Sequence, residues 1–277
     1  MYIFGAYNTV ELFSDRRDFM KWMFVIISGF IGASMGSFLN VVAIRTVQND
    51  KWWGKERSRC DHCGKELSFW DLIPLCSYII QRGKCRYCSV SIGKSYFLVE
   101  LCGFAIGASL AWRWGWSVAT IISLIISYGL LLNALTDIYS GYIYDLFAWA
   151  PGVATLLIRA GTGGLNAGLD SLLGALLGVG LIGFIIFLSK GKMGWGDASL
   201  MGGTGLALGV KMTALSLYLG FMVGGGAALV LLLLGKVSRK DALVFGPHLA
   251  LGSFLSLIFG PFILSCIGFS VPWPWRT

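Results

Sequence analysis

The sequence predicts an all-α polytopic membrane protein of roughly eight transmembrane helices, with a small four-cysteine domain inserted after the first of them. Hydrophobic residues make up 56% of the 277, and the mean hydropathy is +0.73. Charged residues are only 13% of the chain, against about 25% in a soluble domain. The apolar residues are gathered in runs long enough to cross a bilayer, and one basic, cysteine-bearing stretch interrupts them.

The apolar runs give the helices in order along the chain. Five runs carry no formal charge and are close to or beyond the length of a membrane-crossing helix: 22–44, 115–136, 171–189, 212–235 and 242–275. Three shorter runs complete the set: 96–112, which contains Glu100, 146–158 and 198–210. The first run is too long for a signal peptide and lacks a small-residue cleavage site, so we expect a retained helix.

The formal net charge is +8, and the placement of the 22 Lys and Arg residues predicts an orientation. Fifteen of them fall in residues 45–94, 190–192 and 236–240, which share one face if the chain crosses eight times with its N-terminus outside. The positive-inside rule makes that face cytoplasmic. Basic residues beside membrane helices are the ordinary signal of topology, so we expect membrane lipid around the chain and no nucleic acid as a partner.

Three regions follow from this pattern. Residues 1–44 form an N-terminal segment and the first transmembrane helix, residues 45–94 the polar insert, and residues 95–277 the membrane-embedded body. The body is rich in glycine, with four glycines in the run 171–189. Small residues let membrane helices approach closely, so we expect these glycines at helix contacts and not in a phosphate-binding loop.

The insert carries two C-x2-C pairs, Cys60 with Cys63 and Cys85 with Cys88, separated by 21 residues. This is close to the spacing of a two-knuckle zinc site, in which each tight turn supplies two thiolates. A domain of about 50 residues has too small a core to fold unaided, and bound Zn²⁺ supplies the missing free energy. Two disulfides or a redox C-x2-C are the alternative, which a cytoplasmic position disfavours. His62 is expected to be a solvated loop residue.

Histidine occurs only twice, so no Ser-His-Asp set and no H-E-x-x-H helix can be assembled, and the chain has no Walker loop. Catalytic candidates are therefore carboxylates, and the body holds six: Glu100, Asp137, Asp145, Asp170, Asp197 and Asp241. Asp170 is expected to cap the helix 171–189, and Asp241 to lie in a solvated basic loop. Glu100, inside a short span, needs a partner, either a basic side chain or a polar one such as Asn40.

Asp137, Asp145 and Asp197 lie where helices meet the cytoplasmic interface and are the chemical candidates. Two carboxylates within hydrogen-bonding reach share a proton, so that one acts as a base toward water and the other as an acid toward a carbonyl, which is aspartyl peptide hydrolysis. Asp197 follows Gly194-Trp195-Gly196, whose glycines let an extended peptide approach closely. The alternative is that Asp197 is only the N-cap of a helix. These residues alone leave open whether Asp137 or Asp145 is its partner.

Several motifs together resemble the bacterial type IV prepilin peptidases, a family of GxGD aspartyl proteases. The resemblance covers almost everything from Gly32 to Gly260. In chain order the motifs are Gly36-Ser37-Phe38-Leu39-Asn40-Val41-Val42, the two cysteine pairs with Ile73-Pro74, Ser77-Tyr78 and Arg82-Gly83-Lys84 between them, Tyr96, Val99-Glu100, Asp137 with Ile143-Tyr144-Asp145, Gly194-x-Gly196-Asp197 and Phe245-Gly246-Pro247.

The resemblance implies a concrete activity. The family cleaves the short basic leader of type IV prepilins and type II secretion pseudopilins after a glycine, at the cytoplasmic face of the bacterial inner membrane. Many members then methylate the new N-terminal residue with S-adenosylmethionine, an activity associated with the insert. The family's catalytic aspartates match Asp137 and Asp197. Supporting positions match Gly194, Gly196, Asp145 and Glu100, and Tyr144 stands where the family has proline.

A transporter is the alternative from another class. Asp137, Asp145 and Asp197 would then relay protons or bind a cation between discontinuous helices. A presenilin-like GxGD protease is a third possibility, but that group lacks the four-cysteine loop. The insert and the number of matching motifs favour the prepilin peptidase.

Overall fold

The computed structural model describes residues 4–51, 57–60, 62–191, 193–236 and 244–275. The α-helices are α1 Phe4–Val47, α2 Cys76–Ile80, α3 Lys94–Trp114, α4 Val118–Ser140, α5 Asp145–Leu188, α6 Trp195–Leu208, α7 Val210–Leu233 and α8 Gly246–Cys266. A short 3-10 helix, Phe69–Leu72, precedes α2. Among these described residues the only extended pairing is two isolated bridges, one in each cysteine turn. The predicted all-α class is confirmed.

Six helices in the described part of the chain are long and apolar enough to cross a membrane: α1 from Asp18 onward, α3, α4, α5, α7 and α8. α5 is two helices joined at Gly164, whose φ of 74° and ψ of −174° leave the helical region. α6 has 14 residues, about 21 Å, which is short of the hydrocarbon core. Each of the eight predicted runs overlaps a helix, two of them α5, although the run 242–275 extends beyond the end of α8 at Cys266. The described residues thus give six long apolar helices where about eight spans were predicted, and the multi-pass membrane protein is confirmed.

The chain divides into two compact units, Met1–Phe38 with Lys55–Thr120 and Leu39–Gly54 with Ile121–Thr277. In the first unit α1 and α3 pack backbone to backbone, since a Cβ built on Gly36 would lie 2.7 Å from the carbonyl oxygen of Val99. Tyr78 of α2 stacks on Phe97 of α3, with ring centroids 4.9 Å apart. The four-cysteine domain is therefore held against the beginning of α3.

In the second unit α6 is buried between the two halves of α5, and every residue from Leu200 to Leu208 is buried. A Cβ built on Gly203 of α6 would overlap the carbonyl oxygen of Ala148 in the first half of α5. A Cβ built on Gly178, in the second half, would lie 2.7 Å from the carbonyl carbon of Met201 in α6. The predicted close packing of glycines is confirmed here, because these helices touch where neither has a side chain.

Gly178 and Gly180 offer a matched test of that packing. Gly178→Ala should lower the free energy of unfolding by about 1–3 kcal/mol, because the added methyl group overlaps the α6 backbone. Gly180→Ala should leave stability unchanged or raise it, since a Cβ there meets nothing within 4 Å and alanine favours a helix. Thermal unfolding of the two purified variants in the same detergent measures the difference. Equal melting temperatures would show that α5 and α6 do not approach as closely as described.

An ion pair between buried Arg159 and half-buried Asp170 joins the two halves of α5. Arg159 also binds the C-terminal end of α6, which is the end opposite Asp197. The guanidinium of Arg159, 0% exposed, donates to Asp170 Oδ2 at 2.7 Å and to the carbonyl oxygen of Ala207 at 2.7 Å. Asp170 Oδ1 accepts the N–H of Val210 at 3.2 Å, so this carboxylate caps α7. The prediction that Asp170 caps the helix 171–189 is wrong, because that helix has already begun before Asp170 and the carboxylate pairs with Arg159.

Candidate active site

Asp137 lies in the last turn of α4 and is 7% exposed. Its Oδ2 accepts a hydrogen bond from the backbone N–H of Gly246, the first residue of α8, at 3.0 Å. The N-terminus of a helix carries a partial positive charge, so α8 stabilises a negative charge on this carboxylate. A Cβ built on Gly246 would overlap the same oxygen. Glycine is therefore the residue that lets the α8 backbone approach Asp137.

Asp197 is the third residue of α6 and is also 7% exposed. Gly194 is the N-cap of this helix, so the alternative in which Asp197 is the N-cap is wrong. Its Oδ1 is buried without a hydrogen-bond partner among the described residues. A buried carboxyl oxygen without a partner is costly to a fold, which makes it a candidate for chemistry.

Ile143, in the loop between α4 and α5, lies beside the backbone segments that hold both carboxylates. A Cβ built on Gly196 would lie 2.8 Å from Ile143 Cβ, and one built on Gly246 would lie 3.1 Å from Ile143 Cδ1. Asp137 and Asp197 are themselves within electrostatic range of each other. The structure therefore brings together the two aspartates that the family resemblance implied, from helices that are far apart in sequence.

Asp145 does not share this buried environment. It is the first residue of α5, its side chain is exposed, and Tyr144 is the N-cap. A carboxylate in the first turn of a helix is stabilised by the helix dipole, so Asp145 can stabilise the start of α5. Asp241 lies outside the described residues.

Glu100 lies in the second turn of α3 and has two partners. Its Oε1 accepts the hydroxyl of Ser37 at 2.8 Å, and its Oε2 accepts the backbone N–H of Leu75 at 2.8 Å. The expected partner Asn40 instead accepts the hydroxyl of Tyr139 at 2.7 Å, so that expectation is wrong. Glu100 therefore ties α1, α3 and the four-cysteine domain together within the first unit.

The glycines of the Gly194-Trp195-Gly196-Asp197 turn can be tested against each other. Gly196→Ala should lower the rate of the expected peptide cleavage by about 10²-fold, because its methyl group would displace Ile143 or Asp197. A displacement of about 1 Å in an active site has an effect of that size. Gly194→Ala should lower it much less, since a Cβ there meets no atom closer than 3.8 Å. Peptide cleavage rates of the two folded variants give the comparison. Equal losses would contradict the contact between Gly196 and Ile143.

Ile143 and Gly246 had no predicted role, although both stand in motifs that carry the family resemblance. Gly246 precedes Pro247 at the head of an apolar run, and proline at the start of a run signals the first turn of a helix. That signal predicts where α8 begins. It does not predict that the first N–H of α8 binds Asp137, since the two residues are 109 positions apart.

The four predicted metal ligands form one cluster. The four Sγ atoms, of Cys60, Cys63, Cys85 and Cys88, all lie within 4.8 Å of one another. The two turns have the same hydrogen bonds: Cys60 N–H donates to the Lys65 carbonyl at 3.0 Å, and Cys85 N–H to the Val90 carbonyl at 2.8 Å. Backbone N–H groups of Cys63 and His62 lower the pKa of the Cys60 thiol to about 6. This donor set fits a tetrahedral metal ion, and the exposed His62 is a loop residue as predicted.

Asp71 organises the rest of the four-cysteine domain. Its carboxylate accepts the backbone N–H and hydroxyl of Ser68, the amide of Gln81 and the hydroxyl of Tyr87. Arg86 lies 3.8 Å away. Burial opposes the charged form, but the hydrogen bonds from Ser68 and Tyr87 and the charge of Arg86 hold the pKa of Asp71 below its ordinary value. Asp71 is therefore an internal anchor of the 3-10 helix.

Helices that cross a membrane and two neighbouring buried aspartates at helix ends define the class of membrane-embedded aspartyl peptidases. Two family models match the chain. Residues 124–230 match the model described as "Type IV leader peptidase family", and residues 30–114 match the model described as "Bacterial Peptidase A24 N-terminal domain". The chain belongs to the type IV leader peptidase family.

Three relatives show how much of the chain this kinship covers. The protein of Stutzerimonas stutzeri is 32% identical over 86% of this chain and 91% of its own length, and that of Pseudomonas aeruginosa is 31% identical over the same shares. The protein of Bacillus subtilis is 32% identical over 76% of this chain and 84% of its own length. All three are named prepilin leader peptidase/N-methyltransferase. No solved structure matches the chain.

Proposed function

We propose that this protein removes the leader from type IV prepilins and type II secretion pseudopilins, and that Asp137 and Asp197 catalyse the cleavage. The observation that carries the proposal is the pair of buried carboxylates, one at the end of α4 and one at the start of α6. Family membership supports it, as do relatives named for leader cleavage and N-methylation. The second reaction we propose is methylation of the new N-terminal residue from S-adenosylmethionine.

The two carboxylates differ in their hydrogen bonds, and this difference supports the parts we propose for them in hydrolysis. Asp137 accepts the N–H of Gly246, which favours its charged form, so it takes a proton from the attacking water. Asp197, with an unpartnered Oδ1 among the described residues, carries the shared proton and gives it to the carbonyl oxygen of the scissile peptide. When the carbon–nitrogen bond breaks, Asp137 returns its proton to the leaving amine, and Asp197 recovers one from the intermediate's hydroxyl.

The turn before Asp197 is where the substrate backbone would lie. Gly194 is exposed and has extended φ and ψ of −76° and 144°, so a peptide strand can run beside it without meeting a side chain. Gly196 is packed against Ile143 and keeps Asp197 aimed at that strand. As supporting residues outside the pair we propose Asp145, at the exposed start of α5, and Glu100, which ties together elements of the first unit.

The positive-inside pattern supports an inner-membrane protein with its insert and both aspartates at the cytoplasmic face. Fifteen of the 22 Lys and Arg residues lie on that side if the chain crosses eight times, with each half of α5 and α6 counted as one crossing. The proposed division is an N-terminal segment and first helix, 1–44, the insert, 45–94, and the peptidase body, 95–277. A basic leader would meet the active site on this face, before any transport across the membrane.

Cys60, Cys63, Cys85 and Cys88 would hold the metal, and we propose Zn²⁺. Four thiolates without oxygen ligands suit zinc, and a closed set of four protein ligands makes the site structural. The ion would stabilise the fold of the insert and take no part in peptide hydrolysis. The methyl donor would supply a methyl group to the amine that cleavage releases, and no residue here is assigned to hold it.

The transporter alternative is not supported. The chain belongs to a peptidase family, and its relatives are named for cleavage and methylation. Asp145, which a three-carboxylate relay would need, is exposed at the start of α5.

The decisive experiment incubates the purified protein with a prepilin and S-adenosylmethionine and measures the mass of the product N-terminus. Loss of the leader together with one added methyl group is the expected result. Loss of the leader without the methyl group would remove the methyltransferase from the proposal and keep the peptidase. An intact prepilin, with a folded and metal-loaded protein, would overturn the peptidase. Incubation with a prepilin that has already been cleaved then tests the methyltransferase separately.

A further inference from the structure

We propose that the four-cysteine domain dips one apolar face into the headgroup layer of the membrane and binds anionic phospholipid there. This face, called the apolar face below, consists of Phe69, Trp70, Leu72, Ile79 and Ile80. The proposal concerns how the domain meets the bilayer, and it does not depend on the peptidase assignment.

The side chains of the apolar face are largely exposed. The exposed fractions are 75% for Phe69, 69% for Trp70, 47% for Leu72, 65% for Ile79 and 79% for Ile80. These residues stand on the 3-10 helix and on α2, which lie next to each other in the chain. Large apolar side chains gathered on one small domain mark a surface that is covered by a protein or by a membrane.

Two contacts fix the position of this surface along the axis of α3. The backbone N–H of Leu75, between the two short helices, donates to Glu100 at 2.8 Å. Tyr78, next to Ile79, stacks on Phe97 of α3 at 4.9 Å between ring centroids. Glu100 is six residues past Lys94, the first residue of α3, which is about 9 Å along the helix axis.

At that level α3 exposes apolar side chains. Leu98 is 55% exposed and Leu101 is 43% exposed, so the surface of α3 beside Glu100 suits lipid and not water. The segment joining the 3-10 helix to α2 is bound at the same level. The apolar face is therefore in reach of the bilayer, where tryptophan and phenylalanine prefer the headgroup boundary.

The charge of the domain fits anionic lipid. Its exposed basic side chains in the described residues are Arg57, Arg59, Arg82, Lys84, Arg86 and Lys94. Lys65 is exposed as well, but its ammonium lies over the ring of Tyr87, 4.6 Å from the centroid, so it is not assigned to the lipid surface. Only three acidic residues, Asp61, Glu66 and Asp71, stand in the same stretch of sequence, 57–94. Basic residues beside an inserted apolar surface attract the phosphate groups of anionic headgroups. The combination favours lipid over a protein segment, since depth and charge both point to the membrane surface.

The test is photo-crosslinking of the full-length, metal-loaded protein in vesicles of phosphatidylethanolamine and phosphatidylglycerol. Benzoylphenylalanine replaces Trp70 in one variant and Ile80 in another. Both side chains are exposed, so the replacement leaves packing intact, and metal content checks the fold. A matched variant carries the label at Lys65, which is exposed on a cysteine turn of the same domain. After irradiation, the mass of the labelled peptide shows what was captured.

Phospholipid adducts at positions 70 and 80, without adducts above background at position 65, are the expected result. Phosphatidylglycerol should be enriched in those adducts relative to its share of the vesicle. Absence of lipid at both positions, or equal capture at position 65, would overturn the proposal. A second arm adds a prepilin; capture of the prepilin in place of lipid would make the apolar face a substrate surface and would overturn it as well.

Discussion

Replacing Asp137 or Asp197 by asparagine should abolish leader cleavage, lowering its rate by about 10³-fold or more. An asparagine can neither take a proton from water nor give one to the scissile carbonyl, and one remaining carboxylate cannot do both. The two losses should not add, because the residues act as one unit through a shared proton. The double variant should therefore be no less active than either single variant.

The measurement is the cleavage rate of a purified prepilin by each variant in the same vesicles. Asp50→Asn serves as the control, since Asp50 is an exposed carboxylate in the loop that follows α1. It should keep the parent rate. Methylation of a prepilin that has already been cleaved should survive in Asp137→Asn and Asp197→Asn, which shows that they are folded. Cleavage at the parent rate by either variant would remove that residue from the pair.

Removing the metal should unfold the four-cysteine domain. Structural zinc contributes about 10–16 kcal/mol to small zinc peptides, more than a domain of this size gains from its core. Cys60→Ser and Cys85→Ser should each lose the bound metal, because each removes one ligand from a different turn. Hydrogen exchange should then become fast at the N–H groups of Cys60 and Cys85, which the two turns protect.

Metal content by atomic emission and hydrogen exchange by mass spectrometry follow this loss together. Cys266→Ser is the matched control, since Cys266 is an exposed free cysteine at the end of α8. It should keep both the metal and the protection. Full protection of the two turns in a metal-free Cys60→Ser protein would show that the domain folds without the ion, and the structural role would be wrong.

The elements that were predicted well depend on local signals. Apolar runs of about 20 residues have few other uses, so each of the eight overlaps a helix. Two C-x2-C pairs at zinc spacing draw their ligands from turns of a few residues, so the sequence by itself predicts the cluster. Which glycines pack against a neighbouring helix was harder to predict. Gly178 touches α6 whereas Gly180, two residues later, meets nothing within 4 Å, and composition alone does not separate them.

The hydrogen-bond and ion-pair partners of buried polar side chains were predicted less well. Asp170 stood before a predicted helix and was assigned to its N-cap, but it lies within that helix and pairs with Arg159. Asn40 was a candidate partner for Glu100, but it binds Tyr139. A buried polar group takes whichever partner the packing of helices brings near, and that neighbour is set by contacts far along the chain.

The sequence by itself determined the class of the protein, the position of its helices, the four-cysteine cluster and the short list of carboxylates. Tertiary structure decided which carboxylates meet. Asp137 and Asp145 are eight residues apart and look alike in the chain, yet one is buried with Asp197 beside it and the other is exposed. Helix propensity and hydropathy act over a few residues, whereas the meeting of α4, α6 and α8 depends on close packing across the whole body.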